Sequence, residues 1–371
     1  MLEKQDLFRA GEYGYHNCRI PTLVVSPGGA LVATVEARRG HGGDYDDSDL
    51  CMRRSTDGGM TWGAPTVLAS NADYGPGPMN NCSMVADRDT GALHALFCHD
   101  YARVFLCHSG DDGGSFSPPE EITGTFDEFR SDYPWTVCAT GPGHGTQLRN
   151  GRLIVPVWLS EGTGAEFGAG HRGHRPSAVT LIYSDDHGKT WQRGEIVCRN
   201  ADQVAGHEAI DPSETVMVER ADGSVLFNMR NDGGYPRRLT AISPDGVANW
   251  SSFRWDEALL EPICMASMVR HSWPTPDGPG IILFANPDNL EKEFATWAYD
   301  RKRVSVKLSY DDGETWPVSR VLEDGPSGYS DLQVLPDGTV LCFYECGRVT
   351  DGGDDRSVRL ARFDLDWLLR A

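Results

Sequence analysis

The chain is 371 residues long, 39% hydrophobic and 24% charged, with a formal net charge of −20. This composition suits a globular fold and excludes a disordered one. The acidic balance argues against nucleic acid as a partner, and no apolar run approaches the ~20 residues that cross a bilayer, so no membrane insertion is expected.

The opening MLEKQDLFRAGEYGY has no apolar leader core, and the ten cysteines fall singly, without a Cys-x-x-Cys pair or a zinc spacing. Cys51, Cys98, Cys107 and Cys342 sit in apolar runs and are expected to be buried free thiols. Both points suggest a cytoplasmic location, although a secreted chain trimmed of its leader reads the same way. TLVVSPGGALVATVE, from Thr22, is the first hairpin signal: two apolar strands across Pro-Gly-Gly. The octet STDGGMTW follows at Ser55, SGDDGGSF at Ser109 and SDDHGKTW at Ser184. TVMVERADGSVLFNMR is a second hairpin, SPDGVANW at Ser243 a degraded octet, SYDDGETW at Ser309 a full one, and LQVLPDGTVLCFYE a third hairpin.

The octets start 54, 75, 59 and 66 residues apart, a blade-sized period with insertions. Each follows a short apolar strand, and Ser, Asp and Gly are the residues that close a turn through side-chain bonds and positive φ. A calcium loop is the alternative for D-x-D-x-G, but no acidic residue closes a twelve-residue loop and the Trp interrupts it. Five repeats and a last unit over Leu332–Glu345 predict an all-β, six-bladed propeller occupying the whole chain, residues 1–371, as one domain. RSVRLARFDLDWL, near the end, is expected to pair with the N-terminal strand and close the ring.

With these octets the chain resembles the sialidases (neuraminidases) of the Asp-box, six-bladed propeller kind, from Arg19 to Trp367. The resemblance rests on polar residues outside the octets as well. CRIPTLVV, NMRNDGG and YDRKRVSVKLS make Arg19, Arg230 and Arg301 similar to the family's three carboxylate-binding arginines, with Arg303 the rival to the last. Guanidinium suits a carboxylate because it donates paired, charge-assisted hydrogen bonds. GPSGYSDLQVLPDG puts Tyr329 at the family's nucleophile, and DPSETVMVE puts Glu214 at its base. A neutral phenol suits a sugar whose anomeric carbon bears a carboxylate, because an anionic nucleophile would be repelled.

The general acid implied by the resemblance falls in VEARRGHGGDYDDSDL, where Asp44 fits the pattern and Asp46 is its rival; Asp47 and Asp49 read as strand entry. Arg38 is similar to an arginine lining the substrate site, and Glu345 to the carboxylate that holds the first arginine. His144, in ATGPGHGTQL, either touches substrate or caps a turn. GPMNNCSMVADRDTG departs from the family's Asn-Pro-Ser pattern at Asn80–Ser83, near where members read the rest of the sugar.

The implied activity is a retaining exo-α-sialidase, acting without metal or cofactor on sialylated or related acidic glycans. The rivals are the same machinery acting on another 2-keto sugar acid, Kdn-like or Kdo-like, and a non-catalytic glycan-binding propeller. HEAID, from His207, lacks the second histidine of a zinc-protease motif, and Pro212 disfavours its helix. No GxxxxGK[ST] phosphate loop occurs.

Overall fold

The computed structural model describes residues 1–293, 298–350, 353–354 and 356–370. These residues form six antiparallel, mostly four-stranded blades. Blade 1 comprises Asn17–Val25, Leu31–Arg38, Ser48–Ser55 and Thr66–Ala69. Blade 2 comprises Met79–Asp87, Ala92–His99, Arg103–Ser109 and Glu120–Glu121. In blade 3, Val137–Thr140, Leu153–Ser160 and Ser177–Ser184 are edged by two short pieces, Gln192–Arg193 and Cys198–Arg199. Blade 4 is Thr215–Glu219, Val225–Met229, Arg237–Ser243 and Ser251–Leu260.

Blades 5 and 6 share the long strand Val318–Val334. Its first part closes blade 5 against Ser267–Ser272, Ile281–Pro287 and Lys302–Ser309, and its second part opens blade 6. Blade 6 continues through Val340–Cys346 and Ser357–Phe363 and ends on the N-terminal strand, with Leu2 opposite Phe363 and Arg9 opposite Ser357. The expected ring closure is therefore present, and the blade whose outer strand comes from the N-terminus is the one without an octet.

All five octets occupy the turn between the third and fourth strands of blades 1 to 5. In the first, Ser55 Oγ accepts from Gly59 N (2.9 Å), and Asp57 accepts from the amide and hydroxyl of Thr61. The same bonds recur at Ser109/Asp111, Ser184/Asp186 and Ser309/Asp311, and in a shortened form at Ser243/Asp245. These aspartates are occupied by the turns they close. His207–Glu208 is half of a two-residue strand pair with Gln203–Val204, so HEAID is not helical.

The core is a ring of slabs. Apolar clusters fill the space between each pair of neighbouring blades, for example Val85, Leu96 and Trp135 with Val155 between blades 2 and 3. A strand packed on both faces needs apolar residues without alternation, and all of Leu153–Ser160 is buried. All ten cysteines are free and buried in this packing. None of the helices is long and apolar enough to cross a membrane among the described residues. With apolar packing assigned to the interfaces, the polar side chains of the inner strands meet at the axis.

Candidate active site

A cavity of about 470 Å³ opens at one end of the inner strands. Arg19 reaches it through an irregular stretch of strand. Register slips between Arg19 and Thr22, Ile20 takes a left-handed φ of 58°, and Pro21 donates no hydrogen bond. A β-branched residue seldom adopts that conformation; here the Ile20 amide donates to Glu345 Oε1 at 3.0 Å. The same carboxylate accepts from Arg19 Nε at 3.1 Å, so one buried glutamate holds both the bulge and the arginine. The Arg-Ile-Pro signature is thus a device for aiming a guanidinium at the axis.

Tyr329 lies at the floor of the cavity, 5% exposed, with Ile20, Cys264 and Met265 packed around it. Its hydroxyl donates to Glu214 Oε1. Arg230 Nη1 bridges the pair, 2.7 Å from Glu214 Oε2 and 3.0 Å from the Tyr329 hydroxyl, while its Nε donates to Asp232 at 2.8 Å. Burial, reinforced by the Glu214 charge, pushes the phenol well above its ordinary value despite the three arginines. It is protonated at rest, with a carboxylate in place to take the proton.

Arg19 and Arg301 lie over the Tyr329 ring, 5.2 and 5.1 Å from its centroid. Arg301 Nη2 donates to the Ile263 carbonyl at 2.6 Å, and no carboxylate pairs with it among the described residues. It is therefore the guanidinium of the three best able to take an incoming carboxylate. Arg303 does not line this cavity; it lies 3.6 Å from Asp324 and 3.9 Å from Glu291, its side chain 46% exposed.

Asp44 is on the cavity wall, 2.7 Å from Arg38 Nη1 and 3.8 Å from Arg19 Nη1. Burial alone would raise its carboxyl, but Arg38, Arg19 and His174 outweigh burial and hold it below the ordinary carboxylate range. Arg38 lines the cavity too, with Nε and Nη2 donating to Glu36 and Nη1 to Asp44 and the Gly42 carbonyl. Asp46 has a different neighbourhood: its Oδ2 accepts from the amides of His41 (2.7 Å) and Gly43 (2.9 Å), closing the loop on itself. Asp47 accepts from Gly77 N, and Asp49 is buried against Tyr15 and Arg39.

His144 is not at this cavity, which corrects the expectation of a substrate contact. Its Nδ1 lies 2.6 Å from Asp331 Oδ1, and Asp331 Oδ2 accepts from Leu23 N at 2.8 Å while Ser267 Oγ donates to Oδ1 at 3.1 Å. Blades 1, 5 and 6 and the 141–145 segment are tied together there. Nor does His144 cap a turn: it lines a second cavity, of about 600 Å³, at the other ends of the inner strands.

The irregular Asn80–Ser83 segment is a bulge, because register slips between Asn80 and Ser83 and Asn81 has a φ of 51°. Asn81 thereby reaches the cavity wall. Sequence reasoning missed Tyr101, Trp158, Glu166, Phe167, His174 and Arg175, all of which line the cavity. The last four belong to the insertion behind the longest octet spacing, the one signal that marked them. Asp211, at the end of HEAID, also lines the cavity, and Asp232 shares Arg175 with it.

The BNR repeat-like domain model matches residues 21–342. A sialidase of Micromonospora viridifaciens is 31% identical, matched over 99% of this chain and 54% of its own length. A sialidase of Bacteroides fragilis is 26% identical over 91% of this chain and 61% of its own, so the chain spans little more than half the length of these two relatives. Among solved structures, Hadza microbial sialidase Hz136 superposes with a TM-score of 0.78 at 25% identity, over 99% of this chain and 69% of that one. The octets, the six blades and these similarities agree: the chain belongs to the BNR-repeat, Asp-box sialidase family.

Proposed function

We propose that this chain is a retaining exo-α-sialidase, hydrolysing terminal α-linked sialic acid from glycans, with residues 1–371 acting as one propeller domain. The observation that carries this reading is the Tyr329–Glu214 hydrogen bond with Arg19, Arg230 and Arg301 gathered around the phenol. A binding protein has no use for a buried phenol joined to a carboxylate.

In the proposed reaction the arginines take the substrate carboxylate, Arg301 first because no carboxylate pairs with it among the described residues. Glu214 accepts the phenol proton as the Tyr329 oxygen bonds to the anomeric carbon and the glycosidic C–O bond breaks. Asp44 donates its proton to the departing oxygen. Water then replaces the tyrosyl oxygen: Asp44 takes a water proton, the C–O bond to Tyr329 breaks, and Glu214 returns the phenol proton. Two inversions give net retention.

The substrate itself helps to protonate Asp44. Arg38 and Arg19 hold that carboxyl below its ordinary range. A bound carboxylate offsets the charge of Arg19, and burial, which alone raises the pKa, then counts for more. Turnover of an aryl α-sialoside tests the activity, and a panel of aryl glycosides of other 2-keto sugar acids tests the substrate. Hydrolysis confined to a Kdn-like or Kdo-like glycoside would reassign the sugar; binding without hydrolysis of any of them would reassign the class.

A further inference from the structure

We infer that the 161–176 segment is a clamp that positions the acid loop, and that Tyr45 is the side chain it grips. The inference rests on the proposed role of Asp44. The segment connects two central strands of blade 3, Leu153–Ser160 and Ser177–Ser184. Backbone bonds fasten its base: Glu161 N donates to Pro176 O, Gly173 N to Gly162 O and Gly164 N to Arg175 O, at 2.9 to 3.1 Å. Two glycines are needed for that closure. A Cβ on Gly173 would lie 2.4 Å from the Gly164 carbonyl oxygen, and Gly162, at φ 77°, would meet Thr136 Oγ1 at 2.0 Å.

The far part of the segment is anchored to other elements as well. Arg172 donates to the Asp100 carboxylate (2.7 Å) and to the Thr136 carbonyl (2.8 Å), while within the segment His174 N donates to Glu166 Oε1. Tyr45, next to Asp44 in sequence, enters the resulting box. Its hydroxyl donates to the Arg172 carbonyl at 2.7 Å. Its ring meets His171 at 4.7 Å, Phe167 edge-on at 5.1 Å, Tyr101 at 5.2 Å and His174 at 5.7 Å between centroids.

Within the acid loop itself, Asp46 ties the loop to its own amides, which shapes it without fixing where it sits. Asp47 accepts from Gly77 N at the entry to blade 2, and Tyr45 supplies the bond that reaches blade 3. A general acid must lie within hydrogen-bond reach of the departing oxygen, so a displacement of about 1 Å is felt in the rate. The segment also supplies cavity wall through Glu166, Phe167, His174 and Arg175, so wall and acid are set by one insertion.

The test compares Tyr45→Ala, Tyr45→Phe and Asp44→Ala on two glycosides of the same sugar, one with lactose as leaving group and one with 4-nitrophenol. An activated phenol leaves without a proton, so a misplaced acid slows the lactose substrate selectively. Tyr45→Ala should lower kcat on the lactose substrate about tenfold or more relative to the aryl one, part of the ~10²–10⁴ that a general acid contributes. Tyr45→Phe, which keeps the ring contacts, should show a smaller split of the same sign. Should Tyr45→Ala fail to fold, Arg172→Ala loosens the same anchor and should give the split instead. Equal losses on both substrates, or no loss, with the split intact in Asp44→Ala, overturn the clamp and leave the acid assignment standing. No split in Asp44→Ala removes the acid and the clamp together.

Discussion

Asp57 and Asp44 belong to the same blade and use the same functional group in opposite ways. Asp57 bonds to Ser55 and Thr61, residues two and four positions away, and those turn donors hold its carboxyl low. Asp44 bonds to Arg38 on the neighbouring strand and faces Arg19, whose own position depends on Glu345 at the other end of the chain. Repeated rim carboxylates are satisfied locally and are occupied. Axial carboxylates are satisfied by arginines that point into the cavity, Asp44 by Arg38 and Arg19 and Glu345 by Arg19, and a ligand can rearrange those partners. The difference separates what holds the blades from what can react.

The sharpest way to break this comparison is at the phenol. Tyr329→Phe should keep the fold and lose turnover of an aryl sialoside on the order of 10³-fold or more, as expected when a nucleophile is deleted. Near wild-type turnover, with an unchanged melting temperature, would remove Tyr329 from the chemistry.

Next in size is the pair of neighbouring acids. Asp44→Ala should cost about 10²–10³-fold on a natural glycoside and only several-fold on an aryl one, and the alkaline limb of its pH profile should flatten, because a general acid acts only while protonated. Asp46→Ala should lower stability slightly and show no such split, because its carboxylate closes the loop. Exchange of the two behaviours would mean that Asp46 is the acid.

Arg301→Ala should weaken binding about ten- to a hundredfold, the range for a charged hydrogen-bonded contact. A methyl ester of the substrate should be correspondingly poor for the unaltered protein. Equal kcat/KM for acid and ester would eliminate the carboxylate clamp.

His144 tests the axis by pH. Burial would lower its pKa, but the Asp331 carboxylate and its hydrogen bond outweigh burial and raise it above the ordinary value near 6.5. The pair therefore contributes fully below the unfolded value and loses its contribution as pH rises through the raised folded value. The gap in melting temperature between unaltered protein and His144→Gln should be widest at about pH 6 and below, and should shrink as pH rises through the raised folded value. A pH-independent gap would show that the ion pair does not stabilise the fold.

The smallest effect belongs to the rim. Asp57→Asn should lower the melting temperature a little and leave kcat/KM unchanged, and EDTA should leave activity intact. Loss of activity on chelation, restored by calcium, would mean that the octets hold an ion.

The octets and the hairpins were legible in the sequence because their partners lie a few residues apart or recur at a fixed period. Tyr329, Glu214, Asp44 and the three arginines were legible only through short motifs that resemble a known family. Physical spacing alone does not show that Arg19 and Glu345 meet. Only the tertiary structure could assign His144, whose GPGHG context matches the site but whose side chain is drawn to Asp331, a buried carboxylate 187 positions away. The same holds for Tyr45 and His174, ordinary residues in irregular segments, and for Trp158 in a strand buried throughout, none of which any periodicity marks. Local bonding depends on neighbours in sequence, and so the sequence by itself determined the blades and their number. The cavity depends on which inner-strand side chains the closed ring brings to one axis, and that was decided by the packing of six blades against one another.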